Sequence, residues 1–379
     1  MNGEEWKEQR KFSLRVMRDL GMGKQAFEDA ILDEIEDAMR RLEAGKQKPV
    51  SVHPIIGSSV ANVVNIMITG RRLELEHPTR QEIEDSFLPR GNGARPSMFS
   101  LLFYFPFIMK TVLLIPFGPV RTFWTGVQRT LTYIRDEAKA QKSADVVSES
   151  PRSFIEAYVK EMRSEKPSGK YFDEDHLVGN AAAFFGAGAN TTGDFLTWFL
   201  LLVTIDPAIQ RKVRQEIDEV IGTSRVSVKH RDSMPFTEAT ILEAHRFANS
   251  IPSGLWHAVA EDVELEGYLL PKGTQAIFSS YAVHMNPEYF DQPHEFMPER
   301  FIKDGRFVRD ERVMSFGIGK RSCPGEPIAN MEIFLYVCSI LQRFEVEMPK
   351  GKRYRTDGVT DFLGRIPSDS PINLLFKRR

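Results

Sequence analysis

Cysteine is nearly absent: Cys323 and Cys338 are the two in a chain of 379 residues. Two thiols cannot build the disulfide framework of a small secreted domain or a four-cysteine zinc site, so each is read by itself. Charge of one sign is also lacking. Fifty Lys and Arg stand against 52 Asp and Glu, a formal net charge of -2. That balance removes any whole-chain electrostatic case for nucleic-acid binding. No repeats or low-complexity linkers occur, and no apolar signal region opens the chain, where Met1 leads into Asn-Gly-Glu-Glu-Trp-Lys. The longest apolar stretch, Met98 to Val120, has the length of a membrane span, but Lys110 sits in its middle and Pro106, Pro116 and Pro119 break it. It reads as a greasy connector resting on a membrane surface or as an ordinary buried segment, and composition does not separate the two.

What is present suits a folded body with a large core: 42% apolar and 27% charged residues. Lys24 to Leu42 carries Phe27, Ile31, Ile35, Ala38 and Leu42 near a helical period, and further helices are expected from Pro54 to Thr69, Leu131 to Ala140 and Ser153 to Met162. Phe172 to Ile205 is rich in Ala, Gly and Phe with few charges after Asp175, the composition of a helix buried on most sides. Asp206-Pro207 then supplies an N-cap and a first-turn proline for the next helix, which Gly222 closes. Another helix runs from about Pro235 to Asn249. Beyond Pro252 short strands are expected at Val263–Leu265, Tyr268–Leu270, Gln275–Phe278, Glu345–Glu347 and Ile372–Phe376, with a helix from Pro324 to Arg343. The fold class is mainly α with small β-sheets.

Chemistry concentrates at Cys323, in Ser315-Phe316-Gly317-Ile318-Gly319-Lys320-Arg321-Ser322-Cys323-Pro324-Gly325-Glu326. Glycines permit tight turns and close approach of backbone N–H groups to a sulfur. A thiol just ahead of a helix, with Arg321 nearby, is expected to have a lowered pKa. Cys338, between Val337 and Ser339 in an apolar helix, reads as core. A lone activated thiolate is either a nucleophile needing a histidine base or a metal ligand, including the single thiolate of an iron porphyrin.

The run Phe316-x-x-Gly319-x-Arg321-x-Cys323-x-Gly325 resembles the haem-binding signature of the cytochrome P450 family, the haem-thiolate monooxygenases. Four further blocks are similar to that family's: Glu243-x-x-Arg246, Pro298-Glu299-Arg300-Phe301, Ala187-Gly188-Ala189-Asn190-Thr191-Thr192 and Trp6-x-x-x-Arg10. The wording around them looks most like the microsomal animal branch. The resemblance implies a predominantly helical fold, haem b (iron protoporphyrin IX), and insertion of one oxygen atom from O2 into an apolar organic substrate. The electrons would come from NADPH through a flavoprotein reductase, with cytochrome b5 as a further candidate partner. It also implies the cytosolic face of the endoplasmic reticulum membrane. Residues 1–379 are then expected to form a single but incomplete domain, because Trp6 falls well inside the family's pattern. The anchor, first strands and first helices would be missing. The alternative is a non-catalytic truncated relative that binds haem poorly or not at all.

By the same resemblance Cys323 is the axial iron ligand, Trp6, Arg10, His257 and Arg321 meet the haem propionates, and Phe316, Gly319 and Gly325 shape the loop. Glu243 and Arg246, three apart on a helix, can pair, and Arg300 is expected to complete the cluster. His245, between them, is expected at the surface. Ala187 and Thr191, four apart, share a helix face, where a small residue leaves room for dioxygen. The Thr191 hydroxyl either serves the bound oxygen or back-bonds to the preceding turn, with the first favoured. Asn190 departs from the family pattern, where Asp or Glu is common, and cannot relay a proton by ionising. Phe184, Phe185, Ala187, Ala189, Ile251, Leu255 and Phe362 are expected in the substrate pocket, with Met98 to Val120 as its cover.

Overall fold

The computed structural model describes residues 2–21, 25–45, 48–80, 119–143, 150–164, 170–354 and 371–379. Phe362 and nearly all of the Met98–Val120 stretch lie outside them. Helices dominate the described residues: α1 (Gly3–Leu20), α2 (Gln25–Glu43), α3 (Val52–Thr69), α4 (Pro119–Ser143), α5 (Phe154–Met162), α6 (Glu174–Ile205), α7 (Pro207–Val220), α8 (Pro235–Ala248), α9 (Ser280–His284) and α10 (Glu326–Arg343). The strands are short and antiparallel. β1 (Val50–Ser51), β8 (Phe344–Glu347) and β9 (Asn373–Arg378) form a sheet of order β1-β9-β8. Three two-stranded ribbons pair β2 (Trp256–Ala258) with β5 (Gln275–Ile277), β3 (Val263–Leu265) with β4 (Tyr268–Leu270), and β6 (Ile302–Lys303) with β7 (Arg306–Phe307).

The central element is α6, 32 residues and so about 48 Å long. Its start is fixed by Asp173, whose side chain accepts the His176 N–H. Its end is fixed by Asp206, which caps α7 by accepting from Ala208 and Ile209, with Pro207 in the first turn. From Phe195 to Thr204 every side chain of α6 is buried, as its all-round apolar composition requires. α3 lies against it closely enough to need glycine. A Cβ on Gly188 would sit 2.8 Å from Val64 Cγ2, and one on Gly193 would sit 3.0 Å from Gly57 Cα. α3 has the length and apolarity of a membrane span, yet 78% of it is buried inside the molecule, as befits a core helix.

One apolar core joins α1 to α8, α10 and the β8–β9 sheet, from Phe12 to Phe376. A second, smaller one holds Ala239, Phe290, Phe301 and Val313. Polar side chains lock α1 onto α5 and α6: Gln9 accepts from Tyr158 Oη (2.8 Å) and Asn180 Nδ2 (2.6 Å). The start of α10 differs from expectation. It begins at Glu326 rather than Pro324, because Pro327 takes the first-turn place and Gly325 the cap.

Candidate active site

Cys323 ends a loop whose shape is set by its own backbone. Met314 O accepts the Gly317 N–H (2.9 Å), Gly319 O accepts the Ser322 N–H (3.1 Å), and Phe316 O accepts the Cys323 N–H (2.7 Å). Gly317 and Gly319 have φ of 73° and 70°, a region that L side chains enter only with strain, so glycine is favoured at both. Gly325 lies beside the sulfur, and a Cβ there would stand 3.8 Å from Sγ. Cys323 is exposed and Cys338 is wholly buried.

The thiol pKa corrects the expectation. It is raised, first because neighbouring chain shields part of the sulfur from water although the residue is exposed, while the N–H groups of Gly325 and Glu326 pull it down. The amides act as expected, but desolvation wins. Burial pushes the Cys338 thiol up much further, which fits an inert core residue.

α1 docks on this loop through cations. Arg10 Nη2 donates to Ser322 O (2.8 Å) and Arg321 Nη2 donates to Asn2 Oδ1 (2.8 Å). The Arg321 guanidinium lies 3.8 Å from the centroid of the Trp6 ring, and that of Arg10 lies 5.7 Å from it. The structure therefore brings Trp6, Arg10, Arg321 and Cys323 together. His257 lies on β2, paired with Ala276 and edge-on to Phe278 at 5.3 Å.

Behind the loop, Glu243 and Arg246 are both fully buried and bidentate, with Nε–Oε2 at 2.8 Å and Nη2–Oε1 at 2.7 Å. Glu243 Oε1 also accepts from Arg300 Nε (3.1 Å) and from the Met297 N–H (2.9 Å). Arg246 uses its remaining donors on the carbonyls of His284 and Pro293 (both 2.8 Å) and Glu295 (3.2 Å). The cluster therefore ties α8 to the Pro298–Phe301 turn and to the segment before it. His245 is not at the surface. It is 8% exposed, stacked on Phe195 of α6 at 4.0 Å and edge-on to Phe316 at 5.1 Å. Its place between α6 and the loop leaves little room for solvent, and burial lowers its pKa to about 3.

Along α6 one narrow face stays open. Gly179, Ala183, Ala187 and Thr191, spaced by four, are exposed on a helix otherwise buried on most sides. Thr191 Oγ1 donates to Ala187 O (2.9 Å), so the hydroxyl hydrogen is engaged in the back-bond rather than pointing outward. Phe185 and Ala189 are wholly buried in the main core. Two positions from Ala187 is about 200° around a helix, so both point away from the open face. Phe184 is half-buried against Phe154 at 5.2 Å. Asn190 and Ile251 are half-buried, and Leu255 is 72% exposed.

These residues fit a flat iron porphyrin. A solitary exposed cysteine offers one axial ligand, and two arginines and a tryptophan offer donors for its carboxylates. The small residues of α6 leave a face that larger side chains would fill. Among the described residues no group of three or more His, Cys, Asp or Glu could hold a bare metal ion. The class defined by this helical fold and single cysteine loop is a haem-thiolate protein.

The chain belongs to the cytochrome P450 family, whose model, described as Cytochrome P450, matches residues 1–369. It is similar to Cytochrome P450 2U1 of Rattus norvegicus, 32% identical over 381 aligned positions that cover 100% of this chain and 71% of that protein. Cytochrome P450 2D3 of Rattus norvegicus is 35% identical, over 99% of this chain and 75% of the relative. Cytochrome P450 2J2 of Homo sapiens is 33% identical, over 93% and 70%. Membership makes haem-dependent oxidoreductase chemistry of the monooxygenase type the general activity.

Sequence reasoning missed three parts of the site. The Gly179-Ala183-Ala187-Thr191 stripe was visible as small residues four apart, but half of it went unused. Phe195 and His284 carried no signal, since each acts through partners distant in sequence.

Proposed function

We propose that this chain inserts one oxygen atom of O2 into an apolar organic substrate, with Cys323 as the axial ligand of haem b. NADPH would supply electrons through a flavoprotein reductase. The observation that carries the reading is the gathering of Arg10, Arg321 and Trp6 around the loop that presents the exposed Cys323. When bound, the haem supplies oxygen activation, to which a thiolate ligand contributes electron density, and coordination to iron deprotonates the thiol.

The remaining work falls to the chain. Trp6, Arg10 and Arg321 would bind propionates, the arginines as planar forks. Two of their present partners, Asn2 and the Ser322 carbonyl, are neutral. His257 would join them from β2. Ala187 keeps the face of α6 shallow. Thr191 would turn its hydroxyl hydrogen from Ala187 O toward the open face of α6, where it can donate a hydrogen bond beside the haem site. Asn190 can hydrogen-bond there but not ionise. Phe184, Ile251 and Leu255 remain candidates for substrate contact. The single large core supports one domain across the chain. The endoplasmic reticulum membrane is the proposed location, and cytochrome b5 a second proposed electron donor.

The test is to load the full chain with haem, reduce it with dithionite and add carbon monoxide. A Soret band shifted to the red by thiolate ligation, lost in Cys323→Ala, is expected. A well-folded chain that takes up haem without that band would overturn the assignment.

A further inference from the structure

The cysteine loop is gripped from outside at both ends. At its exit Arg10 holds Ser322 O. At its entrance the Met314 N–H donates to His284 Nε2 at 3.0 Å. His284 is the last residue of α9 and is completely buried. Its backbone carbonyl accepts Arg246 Nη1 at 2.8 Å, so one residue joins the Glu243–Arg246 pair to the loop. The ring stands edge-on to Phe290 at 6.5 Å, which limits its swing. An Nε2 that accepts from an amide must carry its hydrogen on Nδ1, so the imidazole is neutral and of one tautomer. Burial, with Arg246 adding to it, lowers its pKa to about 4, in keeping with that state.

From Met314 the hold passes through the loop backbone to the sulfur-bearing residue. Met314 O accepts the Gly317 N–H, which begins the tight turn, and two residues after Met314 the Phe316 carbonyl takes the Cys323 N–H. Freed at Met314, the entrance segment would lean on Ser315 Oγ, which donates to His245 O at 3.0 Å, and could shift Phe316 and with it the Cys323 amide.

We propose that His284 is a positioning residue for Cys323, its imidazole setting the height of the loop against the Glu243–Arg246 pair. The proposal rests on Cys323 being the iron ligand. Glutamine places an acceptor Oε1 at nearly the reach of Nε2, whereas leucine fills the space without one.

The test compares His284→Leu and His284→Gln in the full chain by two readouts. The first is amide hydrogen exchange at Met314 and Cys323, which needs no haem. Leucine is expected to speed both about tenfold, the loss of roughly one hydrogen bond, and glutamine to restore most of the protection. The second is the share of the reduced carbon monoxide spectrum in the thiolate band of haem-loaded protein. It should fall in the leucine variant and recover in the glutamine one at an unchanged melting temperature. Should leucine not fold, His284→Asn, whose acceptor falls about one bond short, takes its place. Unchanged exchange at Cys323, or glutamine failing as badly as leucine in a folded protein, would sink the proposal. If the unmutated chain shows no thiolate band, the ligand assignment fails instead, and the exchange at Cys323 still decides whether His284 positions that residue.

Discussion

Glu243 places one buried carboxylate between two arginines. Removing a partner of a buried ion pair leaves an uncompensated charge, at a cost of about 3–5 kcal/mol. Arg246→Leu also orphans the carbonyls of His284, Pro293 and Glu295. We expect it to lower the melting temperature sharply and to leave little soluble chain, measured by thermal unfolding. Ala187 predicts the opposite pattern. Its side chain is exposed, so Ala187→Phe should leave circular dichroism and melting temperature nearly unchanged while haem uptake falls severalfold. Full uptake by that variant would remove the open face of α6 from the site. Asn190→Asp adds an ionisable group one position before Thr191, and product formed per NADPH consumed is expected to rise. Equal or lower coupling would show that the amide already suffices.

Between elements, the firmest polar contact of α1 with the start of α6 outside the core is His176. Its Nδ1 faces Asp173 Oδ1 at 2.8 Å and its Nε2 faces Glu5 Oε1 at 3.2 Å. Desolvation opposes the charged ring, but hydrogen bonds to Asp173 and Glu5 outweigh it and raise the pKa. A raised histidine pKa stabilises the fold fully below its ordinary value of 6.5 and loses that contribution as pH climbs through the raised value. His176→Gln should therefore weaken haem retention most at mildly acid pH and least at alkaline pH, read by haem transfer to an acceptor protein. Most elements were legible in sequence because their signals are local. The Asp206-Pro207 start, the 263–265 and 268–270 strands and the α2 period fall where expected. The start of α10 was misplaced because two prolines, Pro324 and Pro327, offer the same signal. The site was legible as motifs, through family resemblance, and not as environment. No spacing rule shows that His245 would be sealed between Phe195 and Phe316, or that desolvation would outweigh the amides at Cys323.

For the molecule as a whole, buried ionisable groups bound the pH range of stability from both sides. Glu332, in the middle of α10, is 2% exposed, and desolvation raises its pKa to about 8 from an ordinary 4.5. Between those values the unfolded chain has released a proton that the folded chain keeps, so stability falls as pH rises. Glu332→Gln should raise the melting temperature at pH 8 and flatten its decline from pH 5. His245 and His284 act oppositely. Their lowered values, about 3 and about 4, make the fold lose stability as pH drops below about 6.5. The contrast between the two cysteines has a practical consequence. Cys323 is open to solvent and Cys338 is sealed in the core. A maleimide should therefore take up one equivalent in the native haem-free protein and two after denaturation. A protein whose sulfur is bound to iron should take up none until it unfolds, so the chain can serve as its own stoichiometric gauge of site occupancy.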